Sequence, residues 1–448
     1  MTNLKISYPE SQEDQPGVPL NVEYLLDGEH IRQQIQVNGQ LIGASRALPE
    51  GADLQDSPSA LWWKSYLQGS PIIPDNRVGR LKFIDLFCAS GGLSLGFEEA
   101  ALSLGMRTRS VLGMDMDRRA LEVYQANHSP TFTSSTSVSE AIDFHSTELA
   151  GKGIESLNFE GDPKLLLPEL KQAVGTIDVV LAGPPCQGHS SLNNATRHDD
   201  ARNELYAYPA AIAIALGARA VVIENVPGVQ RDRGSVFQRT EALLKNSGYT
   251  VEGMVIKAEN LGWPQTRHRY FLVAVKDGAP GMLSETISAL TSPPRTLGWA
   301  IADLQGRQPN GILDSTPTLS EENKSRIEWL VKNKAHDLDD QERPDCHKNK
   351  DHSYKSSYGR MWWDRPAGTL TTGFMSPGRG RFIHPLEPRV LTPREAARVQ
   401  GFPDPYFENT SATGDPKRGE LAKWIGDAVP APLGFAASLA VVAQLLKT

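Results

Sequence analysis

From Leu81 onward, short apolar runs alternate with stretches of helical periodicity. Leu81–Phe87, Val111–Met114, Ile177–Ala182, Ala220–Ile223 and Tyr270–Val275 read as buried strands. Between them, Leu95–Leu104, Arg118–Asn127 and Pro209–Leu216 read as helices. Strands alternating with helices predict an α/β domain with a mostly parallel sheet, whose ligands bind beyond the carboxyl ends of the strands. Residues 1–80 have a different texture. Ile35–Leu41 alternates around Asn38-Gly39, which predicts a hairpin because both turn residues must take positive φ. Ser59–Leu67 reads as a short helix, and the whole stretch as a separate small unit. From Lys276 to Tyr354 the alternation fails and Pro, Gly, Asn, Asp and Lys dominate, as expected of an inserted irregular domain. Thr392–Gln400 reads as a helix with a threonine cap and Pro393 in its first position, and Ala428–Leu446 as an apolar closing helix. The expected organisation is an extension over 1–80, a ligand-binding domain over 81–275, an irregular domain over 276–388 and a returning segment over 389–448.

Composition narrows the class. The 448 residues are 39% hydrophobic and 22% charged, with a formal net charge of −7, as in ordinary globular proteins. Cys88, Cys186 and Cys346 are too few, and odd in number, for a disulfide framework. No basic start followed by an apolar run opens the chain, and no apolar run approaches the length of a membrane span. The expectation is therefore a cytoplasmic protein with no membrane association, acting as a monomer. The acidic balance disfavours a protein that coats nucleic acid but leaves room for a local basic groove.

Four motifs sit just past, or just before, the predicted strands. Asp85-Leu86-Phe87-Cys88-Ala89-Ser90-Gly91-Gly92-Leu93 runs from a strand through a Gly-rich turn into a helix. Such a turn lets backbone approach a ligand, though many are only tight turns. Asp115, past the next strand, is placed to accept from ribose hydroxyls, or to cap a helix. In Gly183-Pro184-Pro185-Cys186-Gln187-Gly188-His189-Ser190, two prolines stiffen a turn and aim a thiol, which suits a nucleophile. Glu224-Asn225-Val226 puts a carboxyl in a partly desolvated crevice, where burial favours a retained proton. In Gln265-Thr266-Arg267-His268-Arg269 the two guanidinium groups share a face, suited to phosphate or carbonyl oxygens. Convergence of a thiol, a carboxyl and arginines at one sheet edge points to covalent attack on an electron-poor ring.

In order and content these motifs resemble the cytosine-C5 DNA methyltransferases. Arg389-Val390-Leu391-Thr392-Pro393-Arg394-Glu395-Ala396-Ala397-Arg398, Gly401-Phe402-Pro403 and Gly426-Asp427-Ala428-Val429-Pro430 extend the likeness, which covers about residues 81 to 448. Two positions depart from the family's pattern: Ala89 and Asp427 stand where the family usually has Gly and Asn. The resemblance implies a Rossmann-like, doubly wound class I methyltransferase fold with a smaller target-recognition domain. It implies S-adenosylmethionine as cofactor, held by Phe87, Ala89, Gly91, Gly92, Leu93, Asp115, Met116, Asp162, Pro185, Asp427 and Val429. Among these, Asp115 would take the ribose hydroxyls and Asp162 the adenine amino group. It implies catalysis by Cys186 attacking C6 of cytosine, Glu224 holding a proton on N3, Arg269 donating to O2, and Arg267 supporting the loop or a phosphate. The target base must leave the duplex to react.

Double-stranded DNA is the expected partner, with Gln187 and Ser190 against it beside the nucleophile. Lys355–Arg398 holds eight basic and three acidic residues and is expected to track phosphate, unless it is a solvated surface run. Within it, Arg379 and Arg381 are expected to read guanine edges. A defence or restriction-modification system is the natural setting. An RNA cytosine methyltransferase and a catalytically silent DNA-binding regulator are the alternatives; an oxidoreductase would explain only the Gly-rich turn. His336, Cys346, His347 and His352 fit no standard zinc spacing, so no metal is expected.

Overall fold

The computed structural model describes residues 20–148, 157–185, 201–232, 235–345, 348 and 356–446. The chain opens with three antiparallel strands, β1 (Asn21–Asp27), β2 (His30–Val37) and β3 (Gln40–Ala47). Asn38 and Gly39 join β2 to β3 with φ of 53° and 77°, the left-handed pair that the Asn-Gly hairpin requires. Helix α1 (Pro58–Leu67) follows, capped by Ser57, and β4 (Ile73–Pro74) pairs with β3.

This extension is not a separate unit. Alternate residues of β2, Ile31, Ile35 and Val37, face inward with Leu61, Trp62 and Leu67 of α1. That cluster continues without a break into Phe83, Phe97, Leu433 and Phe435 of the main domain. Polar ties cross the same junction: Arg46 pairs with Glu99 in a buried contact, Tyr66 donates to the Gly401 carbonyl at 2.8 Å, and Lys64 to that of Trp299 at 2.8 Å. The sequence hid this because the helix's aromatic residues carry no mark of which core they enter.

The central sheet consists of β5 (Gly79–Leu86), β6 (Met106–Met114), β7 (Phe132–Ser134), β8 (Val179–Ala182), β9 (Ala220–Asn225), β10 (Tyr249–Lys257) and β11 (His268–Lys276). Its order is β10-β11-β9-β8-β5-β6-β7. Pairings from β9 to β7 are parallel, whereas β11 runs antiparallel to β9 and β10. The parallel strands lie between helices, so β8 and β9 are buried at every position. Helices α2 (Gly92–Ser103), α3 (Arg118–His128), α4 (Tyr208–Leu216) and α5 (Val236–Asn246) make the crossovers. Chain order reverses between β5 and β8, and the carboxyl ends of those two strands frame a crevice. Strand β10 escaped the sequence reading because it is an edge strand with a glycine and few fully buried residues.

The region after β11 does not leave the core at once. Helix α6 (Met282–Leu290) inserts Met282 and Leu283 into the main cluster. Helix α7 (Leu297–Ile301) packs Leu297, Ala300 and Ile301 against residues of the returning segment. The boundary expected at 276 therefore falls inside the core. A small cluster of its own, Ile327, Leu330, Leu338 and Ile383, forms only around α8 (Glu321–Lys332). The returning segment carries α9 (Pro393–Gln400), α10 (Arg418–Asp427) and α11 (Ala431–Leu445). Thr392 and Glu395 form a capping box at the start of α9, as the threonine-proline pattern predicts. Arg418–Leu445 is long and apolar enough to cross a membrane by composition, yet its apolar window is almost wholly buried in the fold; α11 is a core helix beside α2.

Candidate active site

Beyond the carboxyl ends of β5, β6, β8 and β9 opens a cavity of about 300 Å³. Its walls come from Phe87–Ala89, Gly92 and Leu93 after β5, and from Asp115–Asp117 after β6. Thr136–Val138 beyond β7 and Gly183–Pro185 after β8 add to them. Glu224 of β9, Arg269 of β11 and the segments Lys423–Trp424 and Asp427–Val429 close the ring.

The turn after β5 is strained. Phe87 and Ala89 take φ of 60° and 45°, left-handed values that cost a non-glycine residue roughly 1–2 kcal/mol each. Such geometry persists only where neighbours impose it. Here the Cys88 amide donates to the Met114 carbonyl at 3.0 Å and the Ala89 amide to Asp115 Oδ2 at 2.9 Å. Gly91 has φ 95°, and a Cβ there would stand 2.3 Å from His128 Nε2; a Cβ on Gly92 would meet the Val429 carbonyl at 2.3 Å. Gly91 thus serves packing behind the turn and is not part of the cavity wall, whereas Gly92 is.

Carboxyl groups dominate the cavity's polar surface. Asp115 accepts amides from Ala89 and Asp117 and is pushed up by burial. Asp85 accepts from the Ser94 hydroxyl at 2.6 Å, while its Oδ1 has no partner among the described residues; burial pushes it up to about 7. Burial also raises Asp427. Lys423 is spoken for by Asp117 at 2.5 Å. Apolar walls from Phe87, Leu93, Met116 and Val429 complete a pocket suited to a cation with a flat apolar part and sugar hydroxyls. S-adenosylmethionine has those features, so the donor set fits it.

At the other side of the cavity, Arg269 Nε lies 2.8 Å from Glu224 Oε1. Burial pushes the Glu224 carboxyl up, against the pull of Arg269 and Arg267. Asn225 Nδ2 donates to the Pro184 carbonyl at 3.2 Å, and the Gly183 amide to that of Leu86. These bonds fix the start of the proline turn beside Glu224. Cys186, Gln187 and Ser190 lie outside the described residues.

Besides Gly91, two predicted residues, Asp162 and Arg381, are placed elsewhere than expected, and Arg267 is confined to a bracing role. Arg267 is buried and donates to the carbonyls of Leu370, Gly426 and Ala428, so of the two roles expected for it the structure shows the bracing one. Asp162 is exposed and outside the cavity wall; the hydroxyls of Thr136 and Ser137 stand there instead. Arg381 is held by Asp337 at 2.5 Å, by two carbonyls and over the Trp362 ring at 4.3 Å, which leaves its guanidinium committed within the protein. Arg379 is exposed. The basic run is largely internal too: Arg389 pairs with Glu387 and Glu395, Arg394 with Asp314 and Glu408, and Arg398 with Asp303 and Asp404. Sequence reading passed over Thr136, Ser137, Lys423 and Trp424, which follow no apolar run or recognisable spacing. Among the described residues no group of three or more potential ligands could hold a metal.

The sheet order and the crevice at its reversal define a Rossmann-like methyltransferase. A crystal structure from E. coli, described as a DNA modification methyltransferase encoded within a prophage, superposes with a TM-score of 0.52 at 23% identity. It covers 82% of this chain and 99% of its own. The family model of the C-5 cytosine-specific DNA methylases matches residues 81–441, and the chain belongs to that family. It is 42% identical to the Type II methyltransferase M1.BsuMI of Bacillus subtilis over 361 residues, 80% of each chain. It is 29% identical to the Type II methylase M.HgiDII of Herpetosiphon aurantiacus over 359 residues, 78% of this chain and 92% of the relative. The protein is a DNA (cytosine-5-)-methyltransferase, and its family implies S-adenosylmethionine as cofactor.

Proposed function

We propose that the protein methylates C5 of a cytosine flipped out of duplex DNA, at one short sequence, as the modification arm of a restriction-modification system. The Type II relatives support that setting. The observation that carries the chemistry is the Glu224–Arg269 pair beside the braced proline turn, at one end of a cavity whose other end is rich in carboxyls.

When bound, S-adenosylmethionine supplies an electrophilic methyl group. Phe87, Leu93, Met116, Pro185 and Val429 would hold its apolar parts and Asp115 its ribose. Thr136 or Ser137 takes the adenine-side role first given to Asp162. Cys186 attacks C6 of cytosine, forming a C–S bond and turning C5 into an enamine-like nucleophile. Glu224, whose burial favours the protonated form, gives a proton to N3. Arg269 donates to O2. After C5 is methylated, a base removes the C5 proton and the C–S bond breaks, restoring the ring. Gln187 and Ser190 stand next to the thiol in sequence and would meet the DNA there. Bisulfite sequencing of DNA from a host expressing the protein tests the reading. Protected cytosines at one recurrent short sequence are expected; methylation confined to RNA, or none, would overturn it.

A further inference from the structure

Behind the strained turn, outside the cavity itself, a chain of polar groups runs inward from half-buried Glu98. Glu98 Oε2 lies 2.9 Å from His128 Nδ1, and His128 Nε2 lies 2.8 Å from the Tyr406 hydroxyl. That hydroxyl in turn donates to the Ser90 carbonyl at 2.7 Å. Ser90 sits between Ala89 and Gly91, in the turn whose left-handed residues need outside support. Gly91 is packed directly on His128 and Tyr406.

Counting hydrogens shows what the chain requires. Tyr406 has one hydrogen, and two acceptors compete for it: Ser90 O and a lone pair on His128 Nε2. If Nε2 carries a hydrogen, it donates to Tyr406 and the tyrosine hydrogen goes to Ser90. Burial pushes the Tyr406 hydroxyl well above its ordinary range, so the tyrosine itself keeps its hydrogen. Asp85 from β5, Cys88, Tyr66 and Tyr124, whose ring lies tilted at 4.6 Å from that of His128, surround the same chain.

We propose that Tyr406, held in place by His128, is a positioning residue that keeps the Phe87–Gly91 turn in its cofactor-binding shape. The inference rests on the reading above that the turn holds S-adenosylmethionine. The test is calorimetric binding of S-adenosylhomocysteine to the full chain at neutral pH. Tyr406→Phe should bind about three- to tenfold more weakly than wild type, the worth of one hydrogen bond. His128→Gln, whose amide can still donate to Tyr406, should keep most of the affinity. For both variants kcat at saturating cofactor should stay within about twofold of wild type, since one lost hydrogen bond acts on binding. Equal affinity of Tyr406→Phe and wild type, with Asp115→Ala still weakening binding, would overturn this inference alone. A wild type that binds no cofactor analogue would overturn it together with the functional reading.

Discussion

Asp85, Asp115, Glu224 and Asp427 line one cavity, and burial pushes all four carboxyls upward. Arg389, Arg394 and Arg398 stand on the returning segment, and each meets two acid partners. Both regions are dense in charge, yet only the first leaves it under-compensated. Buried charge normally demands a partner, because desolvation costs several kcal/mol per ion. Where the protein omits that partner, as at Asp85 Oδ1, a ligand can supply it. The arginines serve the opposite end: they lock α9 to α7 and to the turn after it, and so hold the frame in which the cavity sits.

The largest effects should separate the two regions by kind. Glu224→Gln should lower kcat by about 10²–10⁴, the usual loss with a general acid, while leaving the midpoint of chemical denaturation close to wild type. Arg398→Met should do the reverse. It removes the charged contacts to Asp303 and Asp404, which keep Lys64 and Arg307 as charged partners, so about 1.5–3 kcal/mol of stability should be lost, measured by denaturant titration.

The pH signatures should also oppose each other. Arg398 holds Asp303 well below the usual carboxylate range, so that pair contributes stability above about pH 4 and loses it in acid. Asp85 is raised to about 7, so its contribution is present below about pH 4 and is lost as pH rises through 7. Asp85→Asn should therefore flatten the stability curve between about pH 4 and about pH 7 without changing the acid limb. A curve unchanged by Asp85→Asn would show that the carboxyl is compensated within the protein.

How much of this was legible beforehand follows from the physics of each element. Buried parallel strands announce themselves as apolar runs, and the Asn38-Gly39 hairpin by its turn chemistry. Motif order carried the fold class. Partner choice was not legible: eight basic residues in Lys355–Arg398 look alike in sequence, while the fold assigns Arg389 to nearby Glu387 and Glu395, and Arg394 and Arg398 to Asp314 and Asp303 far away in the chain. The same limit left open which of two roles Arg267 takes. Alternation put it on one face with Arg269, yet three backbone carbonyls capture it. Asp162 was carried over from the family resemblance, whereas the segment just beyond β7 puts Thr136 and Ser137 in the cavity wall.

Smaller effects sharpen the division. Asp115→Ala should weaken S-adenosylmethionine binding by about 1–3 kcal/mol in calorimetry, as loss of a charged acceptor does. Arg379→Ala should relax one position of the recognised sequence, at about 1–3 kcal/mol, when a randomised duplex library is methylated and sequenced. Arg381→Ala should keep the motif intact and lower thermal stability, since its contacts are internal. Ala89→Gly should relieve left-handed strain and stabilise the protein by about 0.5–1 kcal/mol after the added entropy of glycine is subtracted.

The central claim is covalent catalysis at the Glu224–Arg269 end of the cavity by the thiol that follows Pro185. Its most direct test is incubation with S-adenosylmethionine and duplex DNA carrying 5-fluorocytosine at the target position. Fluorine cannot leave as a proton does, so the wild type should remain attached to the DNA through a denaturing gel. Cys186→Ser should bind the same DNA, form no adduct and transfer no methyl group to the unmodified duplex. Methyl transfer by Cys186→Ser at near wild-type rate would contradict the account.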